Sequence, residues 1–284
     1  ILGPDFGNPI KEPLQEMSTR YGAKCKFRVQ EVAFGTAHAV YCAQKDLEGE
    51  VIIAFADTLF DSKETFNVDG ADSVIWLKKV EDPSRFGVAV YEGEQIKGFV
   101  EKPTEFISDL AIIGVYYFKD GAKLKAELQY VLDNDIKGPG GEYFLTEALD
   151  RMIQNGKLFK TATVDEWLDC GTLPAWLETT GIIIEKEAQN SSEQIEAYAK
   201  QGTTIIPPVY LAKNVILEGV TIGPNVSVEQ GCVVKNTQIS HSIVRDHATL
   251  QGCSLVGSTI GAHTQVSDVS GEVHLGDHSI ISTR

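Results

Sequence analysis

Ile222-Gly-Pro-Asn-Val-Ser-Val228, Val244-Arg-Asp-His-Ala-Thr-Leu250, Ile260-Gly-Ala-His-Thr-Gln-Val266 and Leu275-Gly-Asp-His-Ser-Ile-Ile281 are four copies of one template, and Leu211-Ala-Lys-Asn-Val-Ile-Leu217 is a fifth. In each, an aliphatic residue is followed four positions later by a small or branched one and six positions later by another aliphatic. Ile239 and Leu255 fill the gaps between copies, so one side chain in every five or six is expected to point inward. A repeat this short cannot bury its own apolar face. Stacked neighbours bury it instead, which is the logic of a solenoid.

The pattern resembles the hexapeptide repeat of left-handed parallel β-helices and covers residues 205–284, where Tyr210 is the only aromatic. Before it, residues 179–204 read as a helical connector with a charged, Gln-rich stretch from Glu185 to Gln201. Residues 1–178 change period: strands such as Val51–Ala56 and Ser73–Lys78 alternate with helix-length stretches such as Pro13–Tyr21 and Thr36–Leu47. That alternation predicts an α/β domain with a mostly parallel sheet covered on both faces. In such sheets ligands bind beyond the carboxyl ends of the strands, which singles out Asp57, just after Val51–Ala56.

At roughly 100 to 200 residues per domain, 284 residues correspond to about two domains. The chain has 25 Lys and Arg against 40 Asp and Glu, and the net charge of -15 argues against a nucleic-acid surface, which needs a basic footprint. Most of the excess lies in the first 204 residues, with 21 basic and 34 acidic groups there and 4 and 6 beyond. Five cysteines, Cys25, Cys42, Cys170, Cys232 and Cys253, form no CxxC pair and read as buried thiols of a reduced, cytoplasmic protein. Apolar runs such as Val51–Ala56 fall far below the roughly 18 to 20 residues of a membrane span, and no signal peptide is expected. The apolar start Ile1-Leu-Gly-Pro4 reads as the end of a strand whose earlier part is missing.

Several residues can carry chemistry. Gln30 follows the apolar segment Phe27–Val29 and offers both a donor and an acceptor, suited to the edge of a nucleobase; Gly35 lets a ligand approach the backbone. The same residues also fit a plain polar turn with Thr36 as helix cap. Asp57 and Asp169 end apolar segments, and carboxylates with phosphate oxygens are the usual way to hold Mg2+. Glu101-Lys102 closes the strand Ile96–Val100; a lysine meets phosphate as a point charge and a glutamate accepts from hydroxyls, and the pair equally fits a surface ion pair of small value. Gly87 and Gly140-Gly-Glu142 are weaker signals, glycine turns before a strand and a helix.

Taken in order, the set resembles a known family. Gln30 with Gly35-Thr-Ala-His-Ala39, Phe55-Ala-Asp57, Asp82-Pro-Ser-Arg-Phe-Gly87, Phe99-Val-Glu-Lys-Pro103, Ile113-Gly-Val-Tyr116, Gly141-Glu142 and Trp167-Leu-Asp-Cys-Gly-Thr172 is similar to the sugar-1-phosphate nucleotidyltransferases of the glucose-1-phosphate thymidylyltransferase type. The resemblance implies a Rossmann-like catalytic domain. That domain would join a nucleoside triphosphate, dTTP or UTP, to a sugar 1-phosphate, glucose 1-phosphate, and release pyrophosphate. It implies Asp57 and Asp169 as Mg2+ ligands and as catalytic residues together with Lys102. Gln30 and Gly35 would contact the base, Lys102 the sugar phosphate, and Glu101, Gly87 and Tyr116 the sugar, with Glu142 in support. A homo-oligomer is also implied, since β-helix domains commonly associate.

Two departures stand out. Ala56 occupies a place where many relatives have Gly. The family's glycine-rich, arginine-bearing triphosphate loop is absent: the early glycines are Gly3 and Gly7, and no Arg precedes Arg20. The expectation is an N-terminally truncated catalytic domain, inactive as written. A non-catalytic sugar-nucleotide binder on the same fold is the alternative. Five of six histidines, His241, His247, His263, His274 and His278, lie in the repeat half, which raises an acyltransferase base as a second activity. Because His247, His263 and His278 share one slot of the template, an outward-facing structural position is the favoured reading.

Overall fold

The computed structural model describes residues 1–63, 67–93, 95–187 and 202–283, and it divides into two compact units, Ile1–Trp167 and Leu168–Arg284. Helix α1 (Asn8–Arg20) and α2 (Thr36–Tyr41) precede strands β1 (Val51–Ala54), β2 (Thr58–Asp61), β3 (Ser73–Lys79), β4 (Gly87–Glu92), β5 (Gln95–Glu101) and β6 (Leu110–Phe118). Helices α3 (Gly121–Asp133) and α4 (Leu145–Gln154), strands β7 (Phe159–Thr163) and β8 (Glu166–Asp169), and helix α5 (Leu173–Glu187) follow.

The main sheet runs β5-β4-β6-β3-β7, with β1 also paired to β6. Side chains alternate across it with period two, as a pleated strand requires. Ile75, Leu77, Ile112, Tyr116 and Phe118 face α3 and α4 and pack with Leu124, Leu128, Leu145 and Leu149. Val74, Trp76, Ile113, Val115 and Tyr117 face the other side with Val164. Both faces are therefore covered, as the α/β class demands. The parallel pairing implied by the alternation of strands and helices is present at β3–β7, whereas β4–β5, β4–β6, β3–β6 and β1–β6 are antiparallel. Successive strands joined by a tight turn, such as β4 and β5, can only pair antiparallel; a parallel pair needs a long crossover.

Some local expectations shift. β1 is an edge strand on β6 rather than a strand buried on both faces: Val51 and Ile53 pack on the core while Ile52 stays 60% exposed. The segment Phe27–Val29 contributes one parallel bridge, Leu2 to Val29, instead of a strand. Helix α2 stops at Tyr41, and residues 42–46 continue as tighter turns, with Ala43 N donating to Val40 O and Gln44 N to Tyr41 O. The part of the expected connector at 188–201 lies outside the described residues; its first part, together with the preceding residues from Leu173, is α5.

The second unit is a β-solenoid of about five turns with the three-faced coil of a left-handed β-helix. One face stacks Val209–Leu211, Val226–Val228, Ser242–Val244, Thr259–Ile260 and His274–Leu275, all parallel. The next stacks Ile216–Glu218, Val233–Lys235, Thr249–Gln251, Gln265–Ser267 and Ile280–Ser282. The third runs from Thr204–Ile205 to Ser270–Gly271. The template's aliphatics fill the interior: Ile222, Val228, Val244, Leu250 and Ile260 are fully buried, and Ile239 and Leu255 nearly so. Its fourth slot is the corner. Asn214, Asn225, His247, His263 and His278 all sit there at φ between 56° and 60°, a left-handed conformation that Asn and His adopt more readily than most residues. Cys232 and Cys253 lie inside the coil, while Cys25, Cys42 and Cys170 are only half-buried; all five are free thiols.

Candidate functional site

The expected sugar-binding residues gather in the first unit. Gly87 and Glu101 are cross-strand partners on β4 and β5. A Cβ on Gly87 would lie 3.0 Å from Glu101 Oε2 and 3.0 Å from Thr146 Cγ2, so the glycine leaves the room in which the carboxylate sits. The buried Thr146 hydroxyl donates to Glu101 Oε2 at 3.1 Å. Burial pushes the Glu101 carboxyl above its usual pKa, and the Thr146 hydroxyl and the Lys102 cation oppose the rise. Tyr116 is buried beside it: burial, then the carboxylates of Glu101 and Asp57, raise its phenol well above the ordinary range. That influence puts Asp57, exposed in the turn after β1, in the electrostatic neighbourhood of this cluster.

Lys102 takes a left-handed backbone, φ 42°, directly before a proline. Both features are unfavourable for a lysine, and such outliers cluster at functional sites. Its N–H donates to Phe86 O at 3.0 Å, and its ammonium lies 5.0 Å from the centre of the Phe144 ring. The side chain is exposed apart from that contact.

A second group forms around Gln30. Its amide nitrogen lies 3.1 Å from Gly35 O and 3.0 Å from His38 Nδ1. Gly35, at φ 109°, has the Tyr143 backbone where a Cβ would go, 2.5 Å from its oxygen, so the chain itself makes the close approach expected of a ligand. Thr36 does cap a helix, but not its own: its hydroxyl accepts from Leu145 N, the first residue of α4, at 2.9 Å. Ala37 N donates to Tyr143 O and Tyr143 N to Phe34 O, which ties the α2 entrance to residue 143.

The segment 142–146 therefore joins both groups. Tyr143 is bound to the Gln30–Gly35 side, and Phe144 and Thr146 touch Lys102 and Glu101. Glu142 is exposed and adds to the charge felt by Glu101. Thr146, Phe144 and His38 were not singled out in the sequence.

Asp169 belongs to the second unit, with Asp57 in the first. Its Oδ1 accepts from Gly171 N at 2.8 Å, which holds the carboxylate at the turn into α5, and its carbonyl accepts from Thr179. Carboxylate oxygens are the hard donors that Mg2+ prefers, so the residue types fit that ion. Among the described residues no group of three or more His, Cys, Asp or Glu is placed to hold a metal by itself. A pocket of about 360 Å³ in the second unit, lined by Leu173, Trp176, Arg245, His274 and Asp277, contains none of the expected site residues. Among the described residues no helix is long and apolar enough to cross a membrane.

In the solenoid, the rings of His247 and His263 stack 5.3 Å apart and those of His263 and His278 5.0 Å apart, nearly parallel. An exposed ladder of this kind favours the structural reading of that slot.

Glucose-1-phosphate thymidylyltransferase of Streptomyces griseus is 26% identical over 92% of this chain and 79% of its own length. A bifunctional protein GlmU of Methanococcus vannielii is 28% identical over 86% of this chain and 66% of its own length. Among solved structures, a UDP-glucose pyrophosphorylase in complex with UDP-glucose matches with TM-score 0.51 at 22% identity, over 64% of this chain and 75% of that one. At that identity the likeness is one of fold. A sequence model of the family described as nucleotidyl transferase matches residues 8–186, well over half of the 284, and on that match the chain belongs to the nucleotidyl transferase family.

Proposed function

We propose that this protein serves the transfer of a nucleotidyl group to a sugar 1-phosphate, glucose 1-phosphate, from a pyrimidine nucleoside triphosphate, dTTP or UTP, with release of pyrophosphate. The observation that carries the reading is the cluster of Gly87, Glu101, Thr146 and Tyr116 with Lys102 at its edge. A half-buried carboxylate held by a hydroxyl is suited to accept from sugar hydroxyls, and the neighbouring ammonium to meet the phosphate.

In this reading Glu101, Gly87 and Tyr116 line the sugar, Lys102 holds its phosphate, and Glu142 supports them. Gln30 and Gly35 meet the base, Gly35 by letting the turn close against Tyr143. The reaction is an in-line attack of the sugar phosphate oxygen on the α-phosphorus, so the protein's work is positioning and charge neutralisation rather than covalent catalysis. Asp57 and Asp169 are the proposed Mg2+ ligands; the ion would neutralise charge on the phosphates.

The test is calorimetric titration of the chain with glucose 1-phosphate and, separately, with UTP or dTTP in the presence of Mg2+. Saturable binding of both is expected, with Lys102→Met weakening glucose 1-phosphate about tenfold or more while leaving the triphosphate unchanged. Flat titrations for both ligands would remove this reading.

A further inference from the structure

Strand β5 stands at the end of the main sheet, paired with β4. An end strand carries one row of N–H and C=O groups that no strand takes up, so side chains or water have to satisfy it. On β5 that row meets α4. Phe99 N donates to Asp150 Oδ1 at 2.6 Å, and Phe99 itself is buried against Phe159. Gly98 makes the approach possible: a Cβ there would lie 3.0 Å from Asp150 Oδ1, just as one on Gly87 would crowd Glu101.

Asp150 lies one helical turn beyond Thr146, the donor to Glu101 Oε2. Residues four apart share one face of a helix. Four helical residues advance about 6 Å and two strand residues about 6.8 Å, so Thr146 and Asp150 match the spacing of Glu101 and Phe99. The helix and the strand run in opposite directions, and both hydrogen bonds close together in one register. Moving α4 on by a single residue would turn both side chains about 100° away from the strand.

Burial raises the Asp150 carboxyl above its usual pKa, and the Phe99 N–H opposes the rise. The charge is therefore not what the contact needs; a neutral oxygen acceptor would serve as well. The charges that act on Glu101 come from Lys102, Glu147 and Glu142, so Asp150 reaches that carboxylate through the strand.

We infer that Asp150 is a positioning residue: with Thr146 it fixes the register of α4 on β5, and so aims the Glu101 carboxylate at the sugar. This rests on the proposed sugar site and deepens it.

The experiment titrates the full chain with glucose 1-phosphate and, separately, with UTP and Mg2+. Asp150→Ala removes the acceptor and should weaken glucose 1-phosphate about fivefold or more while leaving UTP within about twofold. Asp150→Asn keeps an oxygen for Phe99 N and should bind glucose 1-phosphate as wild type does. Met152→Ala empties a core position on the same helix and touches neither hydrogen bond; it should lose stability in urea and keep its affinity for the sugar phosphate. Hydrogen exchange at the Phe99 amide reads the bond directly, slow in wild type and Asp150→Asn and faster in Asp150→Ala. Should Asp150→Ala not fold, Gly98→Ala opens the same contact from the strand side and takes its place. If glucose 1-phosphate binds wild type but its affinity is unmoved in Asp150→Ala, or falls as far in Asp150→Asn or Met152→Ala, the inference is overturned and the sugar site stands. Equal weakening of UTP in Asp150→Ala, or a Phe99 amide that exchanges alike in all variants, overturns it too. If glucose 1-phosphate does not bind the wild-type chain, the proposed function fails and takes the inference with it.

Discussion

The Thr146 hydroxyl donates to Glu101 Oε2 at 3.1 Å, across 45 residues of sequence, from the first turn of α4 to the last residue of β5. It is the donor that accompanies burial of the carboxylate. Thr146→Val keeps the shape and removes the hydrogen bond, leaving one carboxylate oxygen short of a partner. The expected result is a loss of about 1 kcal/mol in urea unfolding and glucose 1-phosphate binding weakened about tenfold by calorimetry. Thr146→Ser keeps the donor and should restore both. Weakening in Thr146→Ser with none in Thr146→Val would mean that the methyl group matters and the hydroxyl does not.

Glu101 itself should trade stability for binding. Its carboxyl pKa is raised on folding because burial disfavours the charged form. A group with a raised folded pKa supports the fold most below its unfolded pKa, and that support is lost as pH rises through the folded value. Glu101→Gln removes the charge. The variant should therefore melt higher than wild type at pH 7, and the gap should close as pH falls toward the ordinary glutamate range. Glucose 1-phosphate binding should fall in the same variant. A gap that stays constant from pH 7 to pH 4 would show that burial of the charge is not its origin.

Gly35 and Gly49 both have positive φ, but only Gly35 faces backbone. An alanine Cβ at Gly35 would lie 2.5 Å from Tyr143 O, and backbone cannot swing aside as a side chain can. Gly35→Ala should cost about 3 kcal/mol or more in denaturant unfolding, from steric overlap added to the strained backbone. Gly49→Ala meets nothing within 4 Å and should cost about 1 to 2 kcal/mol, the left-handed penalty alone. Gly35→Ala should also disturb the Gln30 amide, because Gly35 O is one of its two acceptors. Equal losses in the two variants would show that the approach to Tyr143 is not what requires the glycine.

The solenoid was legible because its order is local and repeated: one side chain in each short stretch turns inward, and five copies agree. The α/β class of the first unit was legible from alternating periods. The sheet's antiparallel pairs were not, since which neighbour a strand takes depends on contacts far apart in sequence. The same limit applies to the site. Glu101, Lys102 and Gln30 could be picked out one by one as residues able to do chemistry. Their partners Thr146, Phe144 and His38 could not, because a hydroxyl on α4 and a ring before it acquire their roles only when α4 docks on β5 and α2. Gly35 is a further case: in the sequence it reads as room for a ligand or as a plain turn, and the fold puts the Tyr143 backbone in that place.

His263 occupies the middle of the imidazole ladder at φ 56°, with a ring on either side. Two explanations of the slot make different demands. If the corner needs a residue that tolerates left-handed backbone, His263→Asn should be nearly neutral, within about 0.5 kcal/mol, while the β-branched His263→Val should lose about 1 to 2 kcal/mol. If the ring stack supplies the stability, both variants lose it alike. The backbone requirement is expected to dominate, because Asn214 holds the same corner at φ 59° in an earlier coil without a ring to stack. Urea unfolding followed by hydrogen exchange at Gln265 and Val266, just past the corner, separates the two outcomes. Titration with acetyl coenzyme A on the same variants then tests the acyltransferase base. Saturable binding to wild type that disappears in His263→Asn would assign the histidine a chemical role and overturn the structural one.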